Sequence, residues 1–291
     1  MTLPQVLGLS VVAAIVTTIG SLIALFLKEY VFSRSFERWK NRNTSQQVYE
    51  KYREPIVLAA LELCRRLHEV CTLHPADYLN SELLGITPRP QKSNCASDTY
   101  FRQYMLLSTI FRLCAFLGWL ENYRNEIVFL GSNESPNNRR FEVELANVRS
   151  DLADGRLNTA PDWDKWTDSL IFREEQRAIG EVMLIQSNGV KSIIGYGKFV
   201  EAMQNTGAPS CYRWFDVVVR FFVDPVKTQD FRLVRYQRLV VHLVSLIEAL
   251  DSRRVSDEFK AWKREYGDVL NAYLAVQQGH AANVPGDASP V

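Results

Sequence analysis

The first 27 residues, Met1 to Leu27, contain no charged side chain, and Lys28 with a basic, aromatic segment follows at once. About 20 apolar residues rising ~1.5 Å each cover a hydrocarbon core of ~30 Å, so Leu3 to Leu27 is long enough to cross a bilayer. Its hydroxyl-bearing residues Ser10, Thr17, Thr18 and Ser21 can donate their protons to the helix's own carbonyls. A cleaved signal peptide needs a basic leader, a shorter apolar run and a small-residue cleavage site followed by polar chain. None of these is present, and the stretch reads as an uncleaved single-pass anchor.

Charge sets the expected orientation. Lys28, Arg34, Arg38, Lys40 and Arg42 lie just after the span against Glu29 and Glu37, and nothing basic precedes it. The excess of Lys and Arg on the cytoplasmic side of membrane helices predicts an N-terminus outside and a C-terminal domain in the cytoplasm, on the inner (plasma) membrane. Tyr30, Phe32, Phe36 and Trp39 interleave with the bases, a pattern of rings at headgroup level and cations facing anionic lipid. Lys28, Arg34, Arg38, Trp39, Lys40 and Arg42 are therefore the expected membrane-interface residues, and the simplest reading is a stop-transfer flank without lipid specificity. Ser10, Ala14, Thr17, Ser21 and Ala24 recur at spacings of four and three. Such a small-residue face lets two helix backbones approach closely in lipid and is a candidate seam for a homo-oligomer.

The ~250 residues after the anchor suffice for one large or two small domains, and 47% hydrophobic content supplies a core. No Pro/Gly/Ser-rich linker divides them. The expected organisation is an anchor over 1–27, a juxtamembrane segment over 28–43, a cytoplasmic helical domain over 44–278 and a disordered polar tail over 279–291. A formal net charge of +1 gives the folded part no overall pull on nucleic acid, so neither DNA nor RNA is an expected partner. The five cysteines are odd in number and lack a CxxC pair, which in the cytoplasm implies reduced thiols serving as small core residues.

The chain after the anchor reads as all-α, a bundle hung from one membrane helix. Thr44 and Gln47 have capping-box spacing and predict a short helix to Arg53. Pro55 then opens a second helix, whose face is Ile56, Ala60, Leu63, Leu67 and Val70. His74 to Ser97 reads as a long loop with a helical turn within 76–84, either a contact surface or a disordered excursion. Thr99 to Leu130 is the most apolar helix of the domain. As a second span it is too short and carries Arg112 at its middle, so it is expected to be a core helix. Further helices are predicted over 139–154, 169–186, 229–250 and 256–277, the 169–186 helix stopped by Asn188 and Gly189. Ser192 to Met203 reads as a turn and a short helix, and Trp214 to Val223 as a helix ended by Asp224-Pro225.

The densest polar cluster is Arg173, Glu174, Glu175, Gln176, Arg177, Gly180 and Glu181. On a helix Glu174, Arg177 and Glu181 share a face, so Arg177 could bridge two carboxylates. Gly180 within a helix costs about 1 kcal/mol relative to Ala, a cost usually offset where another backbone or a ligand comes close. Phe172-Arg173 with Glu175-Gln176-Arg177-Ala178-Ile179-Gly180-Glu181 and Met183, then Gly195-Tyr196 and Phe199, resembles a family of uncharacterised bacterial membrane-anchored helical proteins. Weaker echoes are Tyr52-Arg53 with Pro55, and Gly118-Trp119 with Glu121 and Arg124. The resemblance brings no activity with it and implies only that the cluster is a unit. Two roles are open for that unit: a structural ion-pair network between helices, or a polar ligand site formed by Arg173, Glu175, Gln176, Arg177 and Glu181.

Other patterns reduce to simpler readings. Cys64, His68, Cys71 and His74 climb the side of one helix, where one tetrahedral ion could reach only two adjacent members, so core thiols beside partly exposed histidines are expected and no metal. Ile193-Ile194-Gly195-Tyr196-Gly197 imitates a potassium filter but lacks flanking spans. Arg232, Arg235 and Arg238 form a basic ridge expected to be solvated and paired with nearby acids. With no HExxH, GxSxG, GxxxxGK[ST] or DxD pattern, no catalytic residue or cofactor is expected. The expectation is a membrane-anchored interaction module, an adaptor, scaffold or sensor with a protein partner. The alternative is a small-ligand receptor or enzyme centred on Glu175, Arg177 and Glu181.

Overall fold

The computed structural model describes residues 16–22, 24–26, 33–72, 78–85, 97–127, 136–155, 167–187, 189–204, 209–225 and 231–282. Beyond residue 33 these form α1 (Ser33–Thr72), α2 (Ser97–Ile127), α3 (Pro136–Ala153), α4 (Arg173–Met183), a β1–β2 hairpin (Leu184–Ser187 and Val190–Ile193), α5 (Tyr196–Gln204), α6 (Pro209–Phe222), α7 (Phe231–Asp251) and α8 (Asp257–Ala282). The fold is a helical bundle with one small hairpin. Helix α7 packs against α1, α3 and α8, while α2 packs against α1 and α4, so α1 joins the two halves.

Helix α1 follows its apolar spacing but not the expected break. Val48, Tyr52, Ile56, Ala60, Leu63, Leu67 and Val70 are all buried, one stripe at steps of three and four that continues straight through Pro55. Proline removes the N–H that would bond the Lys51 carbonyl, a cost of a few kcal/mol in a free helix. Burial of the stripe against α2 and α7 offsets it, and Thr44 and Gln47 lie inside the helix rather than at its start. Rings knit α1 to its neighbours: Tyr49 meets Phe141 of α3 at 5.8 Å, Phe141 meets Tyr123 of α2 at 5.3 Å, and Tyr123 meets Tyr52 at 6.1 Å.

Helix α2 is the core helix. The most apolar window of Thr99–Ile127 is 78% buried inside the bundle, from which a span facing lipid would be excluded. In α8, Phe259, Trp262, Tyr266 and Leu270 are buried as their spacing requires, while Val269 is 44% exposed.

The predicted helix over 169–186 begins later and ends sooner. After Met183 the chain turns into the hairpin, whose register pairs Leu184 with Ile193 and Ser187 with Val190. Two residues are left for the turn, and Gly189 takes φ +78°, a conformation glycine adopts without steric cost. Asn-Gly between apolar runs is a strong two-residue hairpin signal, and the Ser187–Val190 pairing makes Gly189 part of a strand reversal rather than a helix stop. The hairpin is tied back by Ile194 N–H donating to Met183 O at 2.8 Å.

The basic ridge on α7 is paired with nearby acids at Arg238, as expected, but it is not an open solvated face, because Arg232 and the buried Arg235 close the ends of other helices. The last carbonyls of a helix lack partners within it. For α6, Arg232 donates to Val223 O at 2.8 Å and Asp224 O at 2.9 Å, and the Tyr236 hydroxyl donates to Phe221 O at 2.6 Å. For α3, the fully buried Arg235 donates to Asp151 O and to Asp154 O at 2.9 Å, and Ile171 N–H reaches Leu152 O at 2.8 Å. Arg238 then pairs with Asp151 Oδ1 at 2.7 Å and Asp154 Oδ2 at 3.5 Å, and His242 Nδ1 meets the other Asp151 oxygen. Cations also suit the negative end of a helix dipole.

Near the N-terminus, residues 16–22 and 24–26 are helical. Ser21 Oγ donates to Thr17 O at 2.8 Å, the internal hydroxyl bond expected of this stretch. The rest of the 1–27 segment, including Ser10 and Ala14, lies outside the described residues, as do Lys28, the side chains of Arg34, Arg38, Trp39, Lys40 and Arg42, and the tail from residue 283.

Candidate functional site

Helix α4 places the polar cluster, and a pair of glycines sets its distance from α2. A Cβ at Gly180 would stand 2.6 Å from Glu121 Cβ and 2.8 Å from Leu117 O, and one at Gly118 would stand 2.9 Å from both Met183 Cβ and Ile193 Cγ2. Each helix thus has a notch filled by the other, one turn apart. The partner that Gly180 makes room for is a backbone. The cluster on α4 and the echo at Gly118, Glu121 and Arg124 form one crossing.

The cluster's members then separate by role. Gln176 is buried; its Nε2 donates to Ile171 O at 2.8 Å and Arg149 O at 3.0 Å, locking α4 to α3. Glu175 Oε2 accepts from Phe172 N–H at 2.8 Å, which satisfies one orphan donor at the start of α4. Arg173 donates to Ser150 Oγ at 2.9 Å. Arg177 and Glu181 are exposed, and the expected Glu174–Arg177–Glu181 bridge is not among the ion pairs of the described residues. The carboxylate buried at the crossing is Glu121, 3% exposed, which accepts from Arg124 Nε at 2.8 Å; that bond holds the Arg124 guanidinium firmly in its charged form.

Between α2, α3 and α4 lies a cavity of about 90 Å³ lined by Arg124, Arg149, Gln176, Arg177, Glu121 and Glu142, with Tyr123 and an apolar wall of Leu117, Leu120, Ile127 and Leu145. Tyr123 donates to Glu142 Oε1 at 2.9 Å. Burial raises the Glu142 carboxyl above the usual range, although the Tyr123 hydroxyl bond and Arg149 oppose it. Burial lowers the Arg149 pKa, and the neighbouring Arg173 and Arg177 guanidiniums lower it further. Its bond to Gln176 Oε1 is long, at 3.4 Å. Of the expected ligand residues, Gln176 and Arg177 reach this cavity; Arg173, Glu175 and Glu181 do not line it. Arg149 and Glu142 went unread in the sequence, although positions 142, 145 and 149 fall on one helical face.

Three members of the cysteine and histidine ladder, Cys64, His68 and Cys71, lie on α1. Cys64 is buried and Cys71 nearly so; burial pushes the Cys71 thiol up to about 12 and Cys64 higher. His68 stacks on Trp262 at 3.9 Å and meets the Tyr266 hydroxyl at 2.7 Å. No group of three His, Cys, Asp or Glu among the described residues could hold a metal ion, and His74 lies outside them. No family model, curated protein or solved structure matches the chain, so the chemistry of the site rests on its geometry.

Proposed function

We propose that this chain is a membrane-anchored helical interaction module, held at the cytoplasmic face by its N-terminal apolar segment and offering its bundle to a protein partner as an adaptor, scaffold or sensor. The observation that carries this reading is a contrast in cover. Val16, Ile19, Leu22, Leu25 and Phe26 are each more than half exposed on a helix the bundle does not shield, whereas the apolar window of α2 is buried. Exposed apolar surface costs roughly 25 cal/mol per Å² in water and nothing in lipid.

The basic flank after residue 27 favours the cytoplasmic orientation. Thiols raised by burial, as at Cys64 and Cys114, are the opposite of activated nucleophiles, which favours binding over catalysis. Self-association through Ser10, Ala14, Thr17, Ser21 and Ala24 belongs to the same reading, because small faces pack in lipid.

Carbonate extraction of host membranes tests the anchor. The full chain is expected to stay with the membrane and a chain lacking residues 1–27 to leave it folded; a full chain in the soluble fraction would overturn the reading. Protease added to inverted vesicles is expected to digest the bundle, and protection there would reverse the orientation. Bundle-surface substitutions that abolish partner capture while leaving fold and anchoring intact are expected to abolish function in cells.

A further inference from the structure

We infer that the cavity between α2, α3 and α4 is a binding site for a small phosphate monoester, with the phosphoryl group held by Arg149 and Arg177 and a short apolar body lying against Leu117, Leu120, Ile127 and Leu145. About 90 Å³ of space exceeds what a single water needs several-fold, so a polyatomic ligand fits.

The polar wall is uneven in what it has left to offer. Glu121 is consumed by Arg124, and Glu142 is consumed by Tyr123. Gln176 has spent both amide protons on backbone carbonyls. Arg149, by contrast, commits only its Nε, to a 3.4 Å contact, and Arg177 makes no hydrogen bond or ion pair among the described residues. Two guanidinium forks thus line one cavity with no close ion pair of their own among the described residues, and Arg173 adds to a positive surplus that Glu121 and Glu142 offset only in part. Burial and, after it, the neighbouring Arg173 and Arg177 both disfavour the charged form of Arg149, and a dianion placed between the guanidiniums relieves the repulsive part while matching their forks.

The apolar wall argues for a ligand larger than the bare anion. Leu117, Leu120 and Leu145 are buried and line the cavity with Ile127, Leu120 one turn away from Arg124 on α2 and Leu145 one turn away from Arg149 on α3. A ligand with a short hydrocarbon body beside its phosphoryl group covers both walls at once. This site is independent of the membrane reading, since no residue of the anchor contributes to it.

The test is calorimetric titration of the full chain in detergent micelles with butyl phosphate, inorganic phosphate and butyrate, at constant ionic strength. Butyl phosphate is expected to bind saturably, about tenfold tighter than inorganic phosphate and tighter still than butyrate. Arg177→Gln, which breaks no contact of the fold, is expected to weaken butyl phosphate at least tenfold, and Arg149→Met to abolish it. Lys260→Gln, the same charge change on distant α8, is expected to leave it unchanged. Wild-type binding no tighter than that of Arg177→Gln overturns the site. Equal affinity for butyrate overturns the phosphate assignment, and a matching loss in Lys260→Gln reduces the effect to bulk charge.

Discussion

Helix α3 meets two groups of arginines that look alike in sequence and differ in every physical respect. At its C-terminal end Arg235, Arg238 and His242 of α7 converge on Asp151 and Asp154, and Arg235 is fully buried. Further back, Arg149 stands with Arg177 of α4 over an open cavity, and neither has a carboxylate of its own. At the first junction the guanidiniums satisfy carbonyls and carboxylates that folding would otherwise strand. At the second they are the groups left unsatisfied. A buried arginine whose two terminal nitrogens both donate to backbone carbonyls is a fastener, even with its Nε left unpaired; a half-buried arginine held by one long bond is available to a ligand.

Substitutions can break or sharpen that contrast. The largest effect is expected at the closed junction: Arg235→Met leaves the Asp151 and Asp154 carbonyls without donors and should cost about 3 kcal/mol or more in urea denaturation. A cost below ~1 kcal/mol would mean that the junction does not fasten α3 to α7. Gln176→Leu comes next, since it removes the donor to the Ile171 carbonyl and the tie to the Arg149 carbonyl, at about 2 kcal/mol in the same assay.

Gly180→Ala tests the crossing that shapes the open junction. In a solvent-facing helix this change stabilises by about 1 kcal/mol; against Leu117 O and Glu121 Cβ it should destabilise by roughly that much or more. A raised melting temperature would separate the two helices.

A smaller effect is expected from pH. Glu142 is an exposed residue whose carboxyl is nonetheless raised by partial desolvation beside Tyr123, so the folded chain retains a proton just above pH ~4.3, where the unfolded chain releases it. The stability this confers is present below that pH and is lost as pH rises through the folded value. Glu142→Gln should flatten stability against pH in that window, and an unchanged slope would place Glu142 in water. The smallest effect is expected for Arg177→Gln, within about 0.5 kcal/mol of wild type, because nothing in the fold depends on it.

The sequence made the helices legible wherever burial alone decided them. The stripe from Val48 to Val70 and the face of Phe259, Trp262, Tyr266 and Leu270 follow from spacing. Pro55 misled because its local cost is visible in sequence, while the packing that overrides it on both sides is not. The hairpin was legible in the Asn188-Gly189 pair but was read only as a stop.

The arginines of α7 could not be read, because their partners are carbonyls at the ends of helices 8 to 84 residues away. The candidate site was half legible. Gly180 announced a close approach, and the Gln176 helix announced itself as a unit. The cavity needed Arg149 from α3, and no local pattern in α4 points there.

The continuity of α1 has a mechanical consequence. Its 40 residues make a rod roughly 60 Å long at ~1.5 Å per residue, and the one backbone bond that Pro55 deletes, to the Lys51 carbonyl, lies beyond Tyr49. A twist or push applied at Ser33 therefore reaches the Tyr49–Phe141–Tyr123 rings through an unbroken ladder, with slack only after the torque has been delivered. Tyr123 is also the residue that holds Glu142 at the edge of the cavity, so the rod's near end and the arginine-lined space are coupled by a single chain of rings.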